Sequence, residues 1–142
     1  MNNDENIKIV KNIVKKFILA MNKVEEKFIK ILDENDEILS DEEKEEFKKD
    51  MVSVFNVFCT KKERKYGREN NVVISFPPIY GLGEKIEKTE SKNRSRMVVY
   101  TKSNDPFCPD HRYTLVERKG AWLIDKKERY SFSEKKWEAD IL

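Results

Sequence analysis

The spacing of apolar residues changes period once, near residue 60, and that change limits the fold more than any other feature. From Asn6 to about Asn35, Ile7, Val10, Val14, Phe17, Met21, Val24, Phe28 and Ile31 recur at steps of three and four, which places them on one face of a helix. Ile13, Ile18 and Leu32 widen the stripe beyond a coiled-coil seam, a width that suits packing against a sheet. Asp33 to Glu37 interrupts the pattern. Ser40 and Glu43 then form a capping box, the serine oxygen taking an orphan N–H while the glutamate reaches back. Asp41, Glu42 and Glu43 sit where the helix dipole favours anions. This second helix is predicted to run to about Cys59, with Phe47, Met51, Val54, Phe55 and Phe58 on its apolar face.

Beyond the polar stretch Lys61 to Arg68, ended by Gly67, the pattern alternates. Val72, Ile74 and Phe76 point one way and Val73 and Ser75 the other, as in a strand. Pro77 and Pro78 stop it, and Tyr80 to Gly83 reads as a loop. Ile86 to Thr89 is a weak strand candidate and Arg94 to Lys102 a strong one. Asn104 to Asp110, with two prolines, is a loop. His111 to Glu117 and Ala121 to Lys127 flank Arg118-Lys119-Gly120 as a hairpin. Arg129 to Phe132 is a further short strand, and residues 134–142 form a tail anchored by Trp137 and Ile141. Helices followed by antiparallel strands predict an α+β fold, with helices about 6–60 laid on one face of a curved sheet about 71–133. The lack of βαβ alternation argues against a doubly wound fold. A chain of 142 residues fits one domain, 1–142.

Composition narrows the function classes. The chain is 39% charged, yet eight Phe, five Tyr and two Trp supply too many apolar anchors for disorder. Lys and Arg number 29 and Asp and Glu 27, so bulk charge argues for no nucleic-acid partner. The distribution is more telling. Residues 1–60 hold 10 basic and 14 acidic side chains, net −4, and residues 61–142 hold 19 and 13, net +6. No stretch is long and apolar enough to enter a membrane, and the acidic start is unlike a secretory signal. The expected location is the cytoplasm.

Familiar catalytic and cofactor motifs are absent: there is no GxSxG, HExxH, P-loop, GxGxxG or CxxC. Cys59, Cys108 and His111 offer at most three metal ligands, so no metal and no cofactor is expected. A Cys108–His111 couple, with Asp110 near, spans a short loop that fixes its geometry poorly. Asp125 follows Ala-Trp-Leu-Ile, and alternation puts it with Leu123, opposite Trp122 and Ile124. It reads as an outward acid, or, on a concave sheet face, as a general base. Tyr80, Tyr100 and Tyr113 read as apolar bodies with wet hydroxyls at the sheet margin. Lys61, Lys62, Arg64, Lys65 and Arg68 cluster, and Lys92, Arg94 and Arg96 form a second group. Interleaved glutamates make these a mixed-sign face rather than a phosphate track.

The segments FNVFCTKKERKYGR, VVISFPPIY, SRMVVYT and RYTLVERKGAWLIDKKERY, in this order, resemble nuclear transport factor 2-like immunity proteins, small bacterial antidotes to polymorphic or contact-dependent toxins. The likeness covers about residues 10–142. Its most telling pieces are Phe58-Cys59-Thr60-Lys61-Lys62, Ser75-Phe76-Pro77-Pro78-Ile79-Tyr80 and Gly120-Ala121-Trp122-Leu123-Ile124-Asp125. The resemblance implies a cone-like sheet and a non-enzymatic protein that neutralises the C-terminal domain of a cognate toxin by occlusion. The family hands down no catalytic residues. Exposed basic and aromatic residues then become the candidate toxin contacts: Lys61, Lys62, Arg64, Tyr66, Arg68, Arg94 and Arg96. Superfamily relatives that dimerise through the sheet leave a homodimer open. The wider superfamily also holds isomerases, dehydratases and ligand-binding modules, and for that alternative the pocket residues are Tyr80, His111 and Asp125.

Overall fold

A computed structural model describes residues 3–35, 38–61, 80, 83–103 and 109–140. The predicted strand around Val72 to Phe76, most of the 61–68 basic stretch and Cys108 lie outside the described residues. Two helices precede a five-stranded antiparallel sheet: α1 (Asn3–Glu34), α2 (Asp41–Phe58), β1 (Lys85–Asn93), β2 (Arg96–Lys102), β3 (His111–Arg118), β4 (Ala121–Ser131) and β5 (Lys136–Asp140). This is the α+β class that the change of period predicts. The chain divides into two compact units, Phe17–Leu82 in one and Met1–Lys16 with Gly83–Leu142 in the other.

The helical unit is built on aromatic contacts. Phe17 stacks on Phe55 at 6.0 Å and meets Phe58 and Tyr80 edge-on at 6.1 and 5.4 Å. Phe28 meets Phe47 edge-on at 5.0 Å. Phe17, Met21, Phe28, Phe47 and Met51 are wholly buried, as the helical stripes predict. α2 begins at Ser40 with both bonds of the capping box: Glu43 N–H donates to Ser40 Oγ at 3.1 Å, and Ser40 N–H to Glu43 Oε1 at 2.9 Å. Lys27 on α1 joins Glu46 and Asp50 on α2 at 2.8 and 3.0 Å. Two buried polar residues of α1 hold a residue outside any helix or strand: Glu25 Oε1 accepts the Tyr80 N–H at 3.0 Å, and Asn22 Nδ2 donates to the Tyr80 carbonyl at 2.6 Å.

The sheet unit has strand order β1-β2-β3-β4-β5, each neighbour paired antiparallel. The β3–β4 hairpin turns on Lys119 (φ 54°) and Gly120 (φ 81°), two consecutive left-handed residues that match the strand twist. The β1–β2 turn is Arg94-Ser95, where Asn93 Oδ1 accepts the Ser95 N–H at 2.9 Å. Three readings change. The weak strand candidate at 86–89 is the first half of a nine-residue strand, β1. The two runs 121–127 and 129–132 are one strand, β4. The tail at 134–142 contains β5, which pairs with β4 from Ser131↔Lys136 to Lys127↔Asp140. Polar sequences hid β1 and β5, because an edge strand needs backbone partners more than apolar side chains.

Candidate functional site

One irregularity decides which side chains enter the sheet's interior. Leu115 pairs with Ile124 and Thr114 with Lys126, so Asp125 is the extra residue of a β-bulge. Such a bulge shifts the inward and outward alternation by one position. Ahead of it Trp122 and Ile124 face inward at 6% and 0% exposure. Beyond it Lys127, which strict alternation would place with Asp125 and Leu123, turns inward instead and is 2% exposed.

Lys127 there joins a buried ionic cluster. His111 on β3 lies between two carboxylates, with Nε2 3.2 Å from Asp140 Oδ2 and Nδ1 3.5 Å from Glu84 Oε1. The second approach is an ion pair longer than an ordinary hydrogen bond. Lys127 Nζ lies 3.7 Å from Asp140 Oδ2 and 5.8 Å from the centre of the Tyr113 ring. Tyr113 Oη donates to Glu84 Oε2 at 3.1 Å, and Arg129 Nη1 lies 3.2 Å from Asp140 Oδ1. Burial alone would lower the His111 pKa, but the bonds to Asp140 and Glu84 outweigh it and raise the pKa above its usual value. Burial likewise pushes Glu84 up, and the bond to His111 with the charge of Lys127 brings it net below the usual carboxylate value. Both ring nitrogens of His111 thus face carboxylates, Nε2 the closer and Nδ1 the more distant. Glu84, His111, Lys127, Arg129 and Asp140 together make an ion network.

The opposite face of the sheet has a different character. Register places cations there at Lys85, Lys88, Arg96, Lys102, Arg112, Arg118 and Lys126, against carboxylates at Glu90 and Glu128. Both acids are engaged. Glu128 takes two bonds from Arg112, at 2.9 and 3.1 Å, and Glu90 pairs with Lys92. Aromatic side chains cross the same face edge to face: Tyr100 on Trp137 at 5.7 Å, Trp137 on Tyr130 at 5.4 Å and Tyr130 on Phe132 at 5.4 Å. The Arg112 guanidinium lies 4.6 Å from the centre of the Trp137 ring, and Lys88 Nζ is 4.6 Å from that of Tyr100. A cavity of about 650 Å³ opens at the β1–β2 turn, lined among others by Asn6, Asn93, Arg94, Glu117, Met97 and Trp122.

The candidate residues separate accordingly. Arg94 lines the cavity, Arg96 stands exposed on the cationic face, and Lys61 is exposed after α2. Lys62, Arg64, Tyr66 and Arg68 lie outside the described residues. The pocket trio divides between the two units. Tyr80 belongs to the helical unit and is fully buried against Phe17. Asp125 sits at the bulge, four residues along β4 from Arg129, the partner of His111, a separation of roughly 13 Å. Tyr113 is wholly buried and donates to Glu84, so its hydroxyl is not wet. Glu84, Lys127 and Asp140 were invisible as site residues. Glu84 precedes a polar strand, Asp140 ends a segment that resembles a tail, and Lys127 turns inward only because of the bulge.

Among the described residues no group of acids, histidines and cysteines could hold a metal ion, and no helix is long and apolar enough to cross a membrane. No solved structure matches the chain significantly. The immunity protein RhsIA of Dickeya dadantii (strain 3937) is 36% identical over 128 residues, covering 88% of this chain and 90% of that protein. Residues 9–141 match the NTF2 fold immunity protein family. With helices leading into an antiparallel sheet over that same span, the chain belongs to this family of immunity proteins.

Proposed function

We propose that the protein binds the toxic C-terminal domain of a cognate bacterial toxin in the cytoplasm and neutralises it by occlusion, without chemistry of its own. The observation that carries this reading is family membership over nearly the whole chain, reinforced by 36% identity to an immunity protein. The relative's name points to toxins of the Rhs type; polymorphic and contact-dependent systems share the same logic of a paired antidote. A stable complex of this kind buries about 1,200–2,000 Å² in total. Exposed Lys61, Arg94 and Arg96, with Lys62, Arg64, Tyr66 and Arg68, are contacts in this proposal.

The test is co-expression with the toxin domain encoded beside this gene. Cells survive and the two proteins co-purify if the reading holds. Death of cells carrying both, with no complex recovered, removes it.

A further inference from the structure

We infer that the aromatic and arginine cluster on the outer sheet face, centred on Trp137, is the anchor by which the protein grips an acidic surface of its toxin. The inference rests on the immunity reading and deepens it. Four rings, Tyr100, Trp137, Tyr130 and Phe132, form a continuous edge-to-face chain with centroid steps of 5.4–5.7 Å. Phe132 at its end is 64% exposed. Other exposed apolar residues, such as Ile38 at 69% and Val57 at 66%, stand on or beside helices, outside this chain of rings. Arg112 is fixed in position by its two bonds to Glu128 and by the ring of Trp137. Tryptophan, tyrosine and arginine held rigid before binding are the residue types that dominate interface energies.

Charge selects the occupant. Among the described residues with a register partner the face presents seven cations and two carboxylates, and both carboxylates are already paired. A second copy of this chain docking face to face would oppose five net positive charges with five more, which disfavours a symmetric dimer here. An acidic protein surface meets the same face with complementary charge around an apolar centre. The edge-on packing of the rings spends their edges on one another, so the cluster offers a compact apolar knob rather than separate platforms for nucleobases.

The test measures affinity for a catalytically inactivated toxin domain from the neighbouring gene, using the full-length protein. Phe132→Ser, at an exposed turn position, and Trp137→Ala are compared with Lys61→Glu, and each variant's fold is checked by circular dichroism. Wild-type binding that weakens about tenfold or more with Phe132→Ser, and about thirtyfold with Trp137→Ala, supports the inference. If Trp137→Ala is unfolded, Phe132→Ser together with Lys126→Glu decides. Tight wild-type binding that neither outer-face change weakens, while Lys61→Glu does, overturns the inference and leaves the immunity reading standing. A dimer that dissociates on Phe132→Ser with toxin affinity intact also overturns it, as does tighter binding of single-stranded DNA than of toxin through the same residues. Absence of wild-type binding removes the immunity reading itself.

Discussion

Lys127 and Asp140 face each other across the β4–β5 pair, Nζ 3.7 Å from Oδ2, with the lysine side chain 1% exposed. A lysine this deep is held by charge, since burying an ammonium without anions around it costs several kcal/mol. Lys127→Met keeps the volume but leaves Glu84 and Asp140 with less positive charge between them. The expected loss is about 3 kcal/mol in urea unfolding. Adding Glu84→Gln to that variant removes one of the uncompensated carboxylates and restores about 1 kcal/mol, read as a coupling in the double-mutant cycle. Equal stability of Lys127→Met and wild type would refute the role given to the cluster.

The same cluster fixes a pH dependence. His111 has a folded pKa above its ordinary 6.5, because its bonds to Asp140 and Glu84 overcome the opposing effect of burial. Its contribution is therefore complete below about pH 6.5 and is lost as pH rises through the folded value. Glu84, net lowered from 4.5 because the His111 bond and the Lys127 charge overcome burial, contributes fully above about pH 4.5 and loses its contribution as pH falls through its folded value. Thermal melts of wild type and His111→Gln should differ most between about pH 4.5 and 6.5 and converge toward alkaline pH. A gap that widens above pH 7 contradicts the charged state assigned to the imidazole.

Deleting Asp125 should be tolerated better than deleting Leu123. Removal of the bulge residue leaves Ile124 and Lys127 on the inner face and Lys126 on the outer, as now. Removal of Leu123 would push Trp122 out of the core or break the β3–β4 hairpin. Soluble yield and melting temperature of the two deletions decide the matter.

Ser40→Ala removes the Oγ acceptor of the α2 capping box, leaving the backbone N–H to bond Glu43, and should cost about 1 kcal/mol. Ser53, whose hydroxyl only bonds back to the Lys49 carbonyl at 3.0 Å on an exposed helix surface, serves as the control. Ser53→Ala should be neutral or slightly stabilising. Comparable losses at both positions in denaturant melts would show that the cap is not special.

The helices were legible because their signals are local. A three-four repeat ending at Asp33 and a serine three residues ahead of a glutamate need no distant partner to be read. Hairpin β3–β4 was legible for the same reason, from alternation around Lys119-Gly120. β5 was not, since Lys136 to Asp140 becomes a strand only by pairing with β4. The charged cluster was hidden twice over. Its members lie at residues 84, 111, 127 and 140, and the inward turn of Lys127 depends on one bulge that alternation cannot foresee. His111 was singled out on its chemistry, and the structure places it between Asp140 and Glu84.

Tyr80 has a consequence for local motion. Its amide belongs to no helix or strand, yet the buried Glu25 carboxylate holds it and Asn22 holds its carbonyl. In hydrogen–deuterium exchange such an amide behaves like a helical one, opening only when the middle turns of α1 open. A single backbone position thus reports on the integrity of a helix to which it does not belong.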